Sequence, residues 1–281
     1  MGETADIPPG KSRLKTLGIR ILTGLALVAI CGLPIYYGGF AIYLLVLILG
    51  VRVVYEWVRM TDRQAGGLAL AVPVLALLLV LGLAWCGAWS LALGGVCLFA
   101  VLAMVERLRR GGALWAAFGV LYVLLPSLAI VWLRGMEKGV TAPGFAKFLF
   151  VLVIVVLADS FAYLGGSTIG GPKLAPKISP NKTWSGFISG LVFAMIGGAV
   201  FAKVAGFDMI RGGLLALPLV LLAVAGDFLE SWVKRRLGVK DAGGILPGHG
   251  GLLDRIDSLL LAVGGAALAL LLWPTLWPLV S

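Results

Sequence analysis

Charge is the scarcest property of this 281-residue sequence: Asp, Glu, Lys and Arg make up 13% of it, against 60% hydrophobic residues and a mean hydropathy of +1.05. Soluble domains carry about 25% charged residues, so a water-facing surface and a disordered chain are both excluded. Cysteine is also sparse. Cys31, Cys86 and Cys97 lie in apolar stretches without CxxC spacing, which indicates neither a disulfide framework nor a metal clip. There is one histidine, His249, with no Cys or His partner nearby, so a zinc site is disfavoured. The basic start, with Lys11, Arg13, Lys15 and Arg20, lacks a small-residue cleavage site after its apolar run, because bulky Ile30 precedes Cys31. Residues 21 to 37 therefore read as a retained helix rather than a cleaved signal.

What is abundant is apolar length. Each membrane-crossing helix needs about 20 apolar residues, so the hydrophobic share supports eight or nine crossings and leaves little for a soluble domain. Windows of spanning length fall at 21–37, 40–55, 67–85, 88–105, 114–133, 146–164, 186–204, 213–231 and 258–275. These runs are continuously apolar, without the short alternating segments of a barrel, so the expected fold is all-α: a polytopic helical membrane protein of about nine spans. One membrane domain, 1–281, is expected, with the helices of 1–145 as scaffold and the helices and loops of 146–281 carrying the chemistry.

With the N-terminus inside, eighteen of the 23 basic residues fall on the cytoplasmic side; only Arg134, Lys138, Lys147, Lys203 and Arg211 fall opposite. The net charge of +10 is thus first a topology signal, and it explains the 52–63 and 106–110 segments without recourse to nucleic acid. The nine tryptophans fall near proposed span ends, as an aromatic belt requires.

Acids, lysines, glycines and prolines concentrate from Asp159 to Asp257. Asp159 follows the apolar run Phe148 to Leu157, and a carboxylate at that depth normally faces a polar cavity or a partner. Residues 165–184 form a loop of glycine, proline and spaced lysines, Lys173, Lys177 and Lys182, that resembles a phosphate-binding loop without being a P-loop. Asp227, Glu230, Ser231 and Lys234 stand at i, i+3, i+4 and i+7, so one helix face would carry all four. Asp254, Asp257 and Ser258 repeat the spacing just before the last span. Between them, 240–251 holds five glycines and can fold its backbone closely around a ligand. Two carboxylate pairs beside basic loops suggest a divalent cation bridging carboxylates to phosphate oxygens, and Mg²⁺ suits such oxygen ligands.

The run Ser231, Val233, Lys234-Arg235, Lys240-Asp241, Gly243, Leu246-Pro247, His249-Gly250-Gly251, Asp254-Arg255 and Asp257 resembles the signature of the phosphatidate cytidylyltransferases, the CDP-diacylglycerol synthases. A second stretch, Asp159, Ala162-Tyr163 and Lys173 through Ser179-Pro180 to Lys182-Thr183-Trp184 and Gly186, is similar to another characteristic segment of that family. The sequence departs from the family pattern at Ser167, Gly171 and Ser185. The resemblance implies a bacterial inner-membrane, multi-pass enzyme, its active site on the cytoplasmic side, that joins CTP to phosphatidic acid with Mg²⁺. It also implies metal ligation by Asp227 and Asp254, a second, monovalent cation, and a homodimer among membrane lipids.

On this reading Asp227, Asp254, Asp257, Lys234, Arg235 and His249 form the catalytic set, His249 positioning an oxygen or lending a proton. Glu230 and Asp241 stand nearby. Substrate contacts are expected from Asp159, Lys173, Lys177, Ser179, Lys182, Ser231, Lys240, Asp241, Gly250, Gly251 and Arg255. Two other readings remain open: a CTP-dependent transferase for an isoprenoid lipid acceptor, and an ion-coupled transporter. The latter fits less well, because the acids cluster at one membrane edge and no paired repeats with interrupted helices are visible.

Overall fold

The computed structural model describes residues 30–239, 241–243 and 251–277. A helix described over 30–37 (α1) leads into α2 (Gly39–Thr61), α3 (Gly67–Trp85), α4 (Trp89–Arg107), α5 (Ala113–Arg134) and α6 (Pro143–Thr168). A small antiparallel hairpin follows, β1 (Lys173–Ala175) and β2 (Ser179–Thr183), with Lys173 opposite Thr183 and Ala175 opposite Ser179. The chain then forms α7 (Trp184–Ala205), α8 (Met209–Leu237) and α9 (Leu253–Leu272), ending in a 3₁₀ turn at Pro274–Leu276. Helices α2 to α9 are each long and apolar enough to cross a membrane, and the chain is a polytopic helical membrane protein. Helices satisfy their own backbone groups, which lipid cannot do. Leu91, Leu98, Leu102 and Val105 point outward from α4, as a lipid-facing surface allows. Residues 21–29 of the first expected span, the basic tail, Lys240, His249 and Gly250 lie outside the described residues.

Several helix ends run past the hydropathy windows and carry polar residues into a helix, among them the end of α2 at Thr61 rather than 55, which takes in Glu56 and Arg59. Helix α8 runs to Leu237 rather than 231, α9 begins at Leu253 rather than 258, and α6 continues to Thr168. Hydropathy stops where charge begins, but a helix stops where its caps are. The α8 stop is Gly238, in the left-handed region at φ 67°, with its N–H returned to Arg235 and Lys234 carbonyls. The expected 165–184 loop instead begins as the last turn of α6 and continues as the β1–β2 hairpin. At its far side Thr183 caps α7, its hydroxyl accepting from Gly186 N at 3.1 Å.

Arginines fasten helix ends at both faces of the bundle. Arg107 donates to the Thr61 hydroxyl at 3.0 Å and the Thr61 carbonyl at 2.7 Å, tying α4 to α2. At the opposite face buried Arg134 donates to the carbonyls of Ile35, Tyr36 and Glu137, securing α1. Two kinds of packing fill the interior. Aromatics cluster in both halves, with Trp57 against Phe118 and Tyr122, its indole N–H donating to the Trp115 carbonyl at 2.9 Å, and Phe150 against Phe201 and Trp277. Elsewhere helices meet by close approach: a Cβ at Gly190 would stand 2.6 Å from the Ala158 carbonyl oxygen, bringing α7 directly onto α6.

Candidate active site

Helices α8 and α9 pack antiparallel, and their acids face one another in two rungs. Gly226 lies against the backbone of Asp257 and Ser258, where a Cβ would come 2.5 Å from the Asp257 carbonyl oxygen, while Gly265 of α9 meets Leu222 lower on α8. The absence of a side chain at Gly226 is what lets the two acidic faces meet. In the rung nearer the helix ends, Lys234 Nζ bridges Glu230 Oε2 at 2.5 Å and Asp254 Oδ1 at 2.9 Å. Asp254 also accepts from Gly251 N at 2.8 Å and from Ala242 N at 3.2 Å, so it holds both ends of the 243–251 segment. Glu230 is buried there.

One turn deeper, Asp227 Oδ2 pairs with Lys182 of β2 at 2.5 Å, and Ser231 offers its hydroxyl to Asp227 Oδ1 at 3.4 Å. Asp257, buried, takes its neighbour's backbone N–H, Ser258 N to Oδ1, at 2.7 Å and lies in the field of Asp227 and Asp159. Asp159 comes from α6, within reach of the Ser258 hydroxyl and of the Lys182 charge. Three carboxylates from three helices thus share one ammonium, Lys182, whose field reaches all of them. A cavity of about 480 Å³ opens on this side, walled by α6, the hairpin, the start of α7 and α8, with Asp159, Lys182 and Asp227 in its lining together with Tyr163, Asn181 and Thr183. That volume lies within the ~300–1,000 Å³ of small-molecule sites.

The other expected site residues are spread more widely. Lys173 and Lys177 are exposed on the hairpin, and Ser179 is half-buried at the start of β2. Arg235 reaches back toward the hairpin, its Nε 3.5 Å from the Ile178 carbonyl. Asp241 and Arg255 are exposed, and Gly251 is buried in the loop neck. Two residues escaped the sequence reading. Glu56 of α2 is 1% exposed and accepts from the backbone N–H groups of Leu252 and Leu253. Tyr122 of α5 aims a buried hydroxyl, without a hydrogen-bond partner among the described residues, toward the charges of Asp257, Glu230 and Asp227. Glu56 did leave a signal, a carboxylate inside the apolar run Val53 to Val58, and such a group needs a partner at that depth. Tyr122 left none, since a tyrosine among apolar residues reads as packing.

The donor chemistry fits a hard divalent cation, because Asp159, Asp227 and Asp257 offer only oxygen and outnumber their ammonium. Among the described residues no three such side chains stand at metal-ligand spacing. The expected pair, Asp227 and Asp254, is divided between the rungs. Asp227 lines the cavity, while Asp254 is engaged by Lys234 and two backbone N–H groups.

Carboxylates, a lysine and an adjoining cavity thus bring together, among membrane-length helices, groups that can bind a cation and a group that can bind an anion. A model of the Cytidylyltransferase family matches residues 18–273, and the chain belongs to that family; it is an enzyme, a nucleotidyltransferase. It is similar to the phosphatidate cytidylyltransferase of Brucella abortus, 35% identical over 260 residues covering 89% of this chain and 91% of the relative. It is also similar to those of Pseudomonas aeruginosa, 34% identical over 92% of this chain and 97% of the relative, and of Helicobacter pylori, 32% identical over 90% and 91%.

Proposed function

We propose that this enzyme transfers the cytidylyl group of CTP to phosphatidic acid, giving CDP-diacylglycerol and pyrophosphate in a Mg²⁺-dependent reaction. The observation that carries this reading is the Asp227–Lys182 pair in the wall of the cavity. It gives one chamber both a cation-binding acid and an anion-binding base. The phosphate of phosphatidic acid is already an anionic nucleophile near neutral pH, its second pKa being about 6, so no strong base is needed. Its oxygen bonds to the α-phosphorus of CTP while the bridge to the β-phosphate breaks, and the electron pair leaves with pyrophosphate. What must be overcome is repulsion between anions.

Asp227, with Asp257 and Asp159 beside it, would hold Mg²⁺ against the triphosphate; Lys182 and that ion together match the three carboxylates, so the proposed second, monovalent cation would be balanced by substrate phosphates. When bound, the divalent ion would offset negative charge on the α-phosphate oxygens and on departing pyrophosphate. Lys182, with Lys173 and Lys177 on the same hairpin, would hold the phosphates on the side facing the cavity. Lys234 and Asp254 would keep the 243–251 segment in place, so that Asp254 acts beside the ion as an anchor of the loop. The cytoplasmic face of a bacterial inner membrane is the proposed location, supported by the bias of basic residues, and a homodimer is the proposed assembly.

Purified protein in detergent, given CTP, Mg²⁺ and phosphatidic acid, should release pyrophosphate and form CDP-diacylglycerol. An isoprenoid phosphate offered in parallel should not replace the acceptor. Equal or better turnover with the isoprenoid would overturn the assignment, and absence of any CTP-dependent product would refute transferase chemistry on these lipids.

A further inference from the structure

The start of α9 has no cap of its own. Residues 250–252 are Gly-Gly-Leu, and the N-cap position, Leu252, offers no side-chain acceptor to the first-turn N–H groups. Four such groups at a helix start lack partners within the helix. Here the acceptor comes from the other half of the chain. Glu56 of α2 receives Leu252 N on Oε1 at 3.0 Å and Leu253 N on Oε2 at 2.7 Å, and Arg52, one turn earlier, pairs with it at 3.0 Å. A carboxylate at this end of a helix is also favoured by the helix dipole.

The same carboxylate sits in the neck of the segment between Gly243 and Gly251. A Cβ on Gly243 would come 2.9 Å from Glu56 Oε1, and one on Gly251 would come 2.8 Å from Oε2 and 2.9 Å from Gly243 N. Both glycines are therefore shaped around Glu56. Asp254 grips the neck from α9 through Gly251 N and Ala242 N. Asp254, Lys234 and Glu230 form the rung beside the proposed triphosphate site, so the position of that rung depends on where residues 251–253 are held.

We infer that Glu56 is a positioning residue: it fixes the first turn of α9 and the neck of the signature loop, and through them the Asp254–Lys234 rung on the nucleotide side of the site. This rests on the proposed function and adds to it a role for the N-terminal half beyond scaffold. Partners one step removed from a site commonly change affinity or activity about 10–100-fold when removed.

The test is the kinetics of full-length Glu56→Gln in detergent, with thermal unfolding measured alongside. The variant should raise KM for CTP about tenfold and lower kcat by a similar factor, while KM for phosphatidic acid stays within about twofold. Gly243→Ala, which leaves Glu56 in the chain but pushes on it, should shift the same two constants less. A fall in kcat with both KM values unchanged would mean only that less enzyme is folded, and it would overturn the inference, as would wild-type constants in Glu56→Gln. If neither variant folds, Glu56 is a folding residue and the inference fails. Wild-type protein inactive with CTP and phosphatidic acid would instead defeat the functional proposal on which this one stands.

Discussion

The two acid rungs between α8 and α9 start from the same spacing, i and i+3 on each helix, yet their surroundings make them different objects. In the rung of Glu230 and Asp254, one lysine bridges both carboxylates and two backbone N–H groups add to Asp254. In the rung of Asp227 and Asp257, a third acid, Asp159, joins, one lysine faces all three, and a cavity opens beside them. Carboxylates at one spacing therefore divide into a clamp and a candidate ligand site by what surrounds them: Asp254 is bound by Lys234 and two backbone N–H groups, whereas Asp227 lines an open cavity. A carboxylate engaged on both oxygens, as Asp254 is, holds structure; one that opens on a cavity beside other acids is available to a cation.

That contrast is sharpest under neutral isosteres. Asp227→Asn should remove most of the cation affinity without loosening the fold, lowering pyrophosphate release about 10³-fold, equivalent to roughly 4 kcal/mol, with an unchanged melting temperature. Wild-type-like turnover would end its assignment as a metal ligand. Asp254→Asn should behave differently, losing activity about 10–100-fold and stability by about 1–3 kcal/mol, because the amide meets Lys234 and two N–H groups with half the acceptor strength. Thermal unfolding decides this one, since a variant as stable as the parent would mean that Asp254 is not a clamp.

Lys182→Met tests the open rung from its cationic side. Loss of the ammonium should raise KM for the anionic substrates about tenfold, in keeping with the roughly 1.5–3 kcal/mol of a hydrogen bond to a charged group, and a rise in Mg²⁺ affinity should accompany it. Unchanged KM values for both substrates would remove Lys182 from the phosphate contacts. The smallest effect belongs to Tyr122→Phe. Deleting a buried hydroxyl that lacks a partner should leave stability unchanged or raise it by about 1 kcal/mol. A clear drop in melting temperature would show instead that the hydroxyl is bonded to the acids it faces.

Much of this was legible in the chain. Eight of the nine expected spans are helices of spanning length among the described residues, because continuous hydropathy has few other solutions in lipid, and the i, i+3 acids gave shared faces because helix geometry leaves no choice. Three things were not. The helix ends at Gly238 and Leu253 were hidden because charged residues continued both helices past the hydropathy limit. The division of Asp227 from Asp254 depends on which donors reach each side chain, and spacing along one helix says nothing of donors on another. Glu56 lies 196 residues from the N–H group of Leu252, so no local pattern joins them. Its presence in an apolar run announced that a partner existed without naming it.

The length of α8 has a consequence for the membrane around the enzyme. Its 29 residues extend about 43 Å against a hydrocarbon core of about 30 Å, and Asp227 stands about 27 Å along from Met209. The opposite end is fastened, with Asp208 capping the helix and Arg211 bonded to the carbonyls of Thr275 and Leu276. The depth of Asp227 is therefore set by its distance along α8 from the end that Asp208 and Arg211 fasten. A thicker bilayer draws the reacting acids beneath the headgroups, and a thinner one lifts them into water. Turnover in reconstituted vesicles is therefore expected to vary with bilayer thickness, separately from which fatty acids the substrate itself bears.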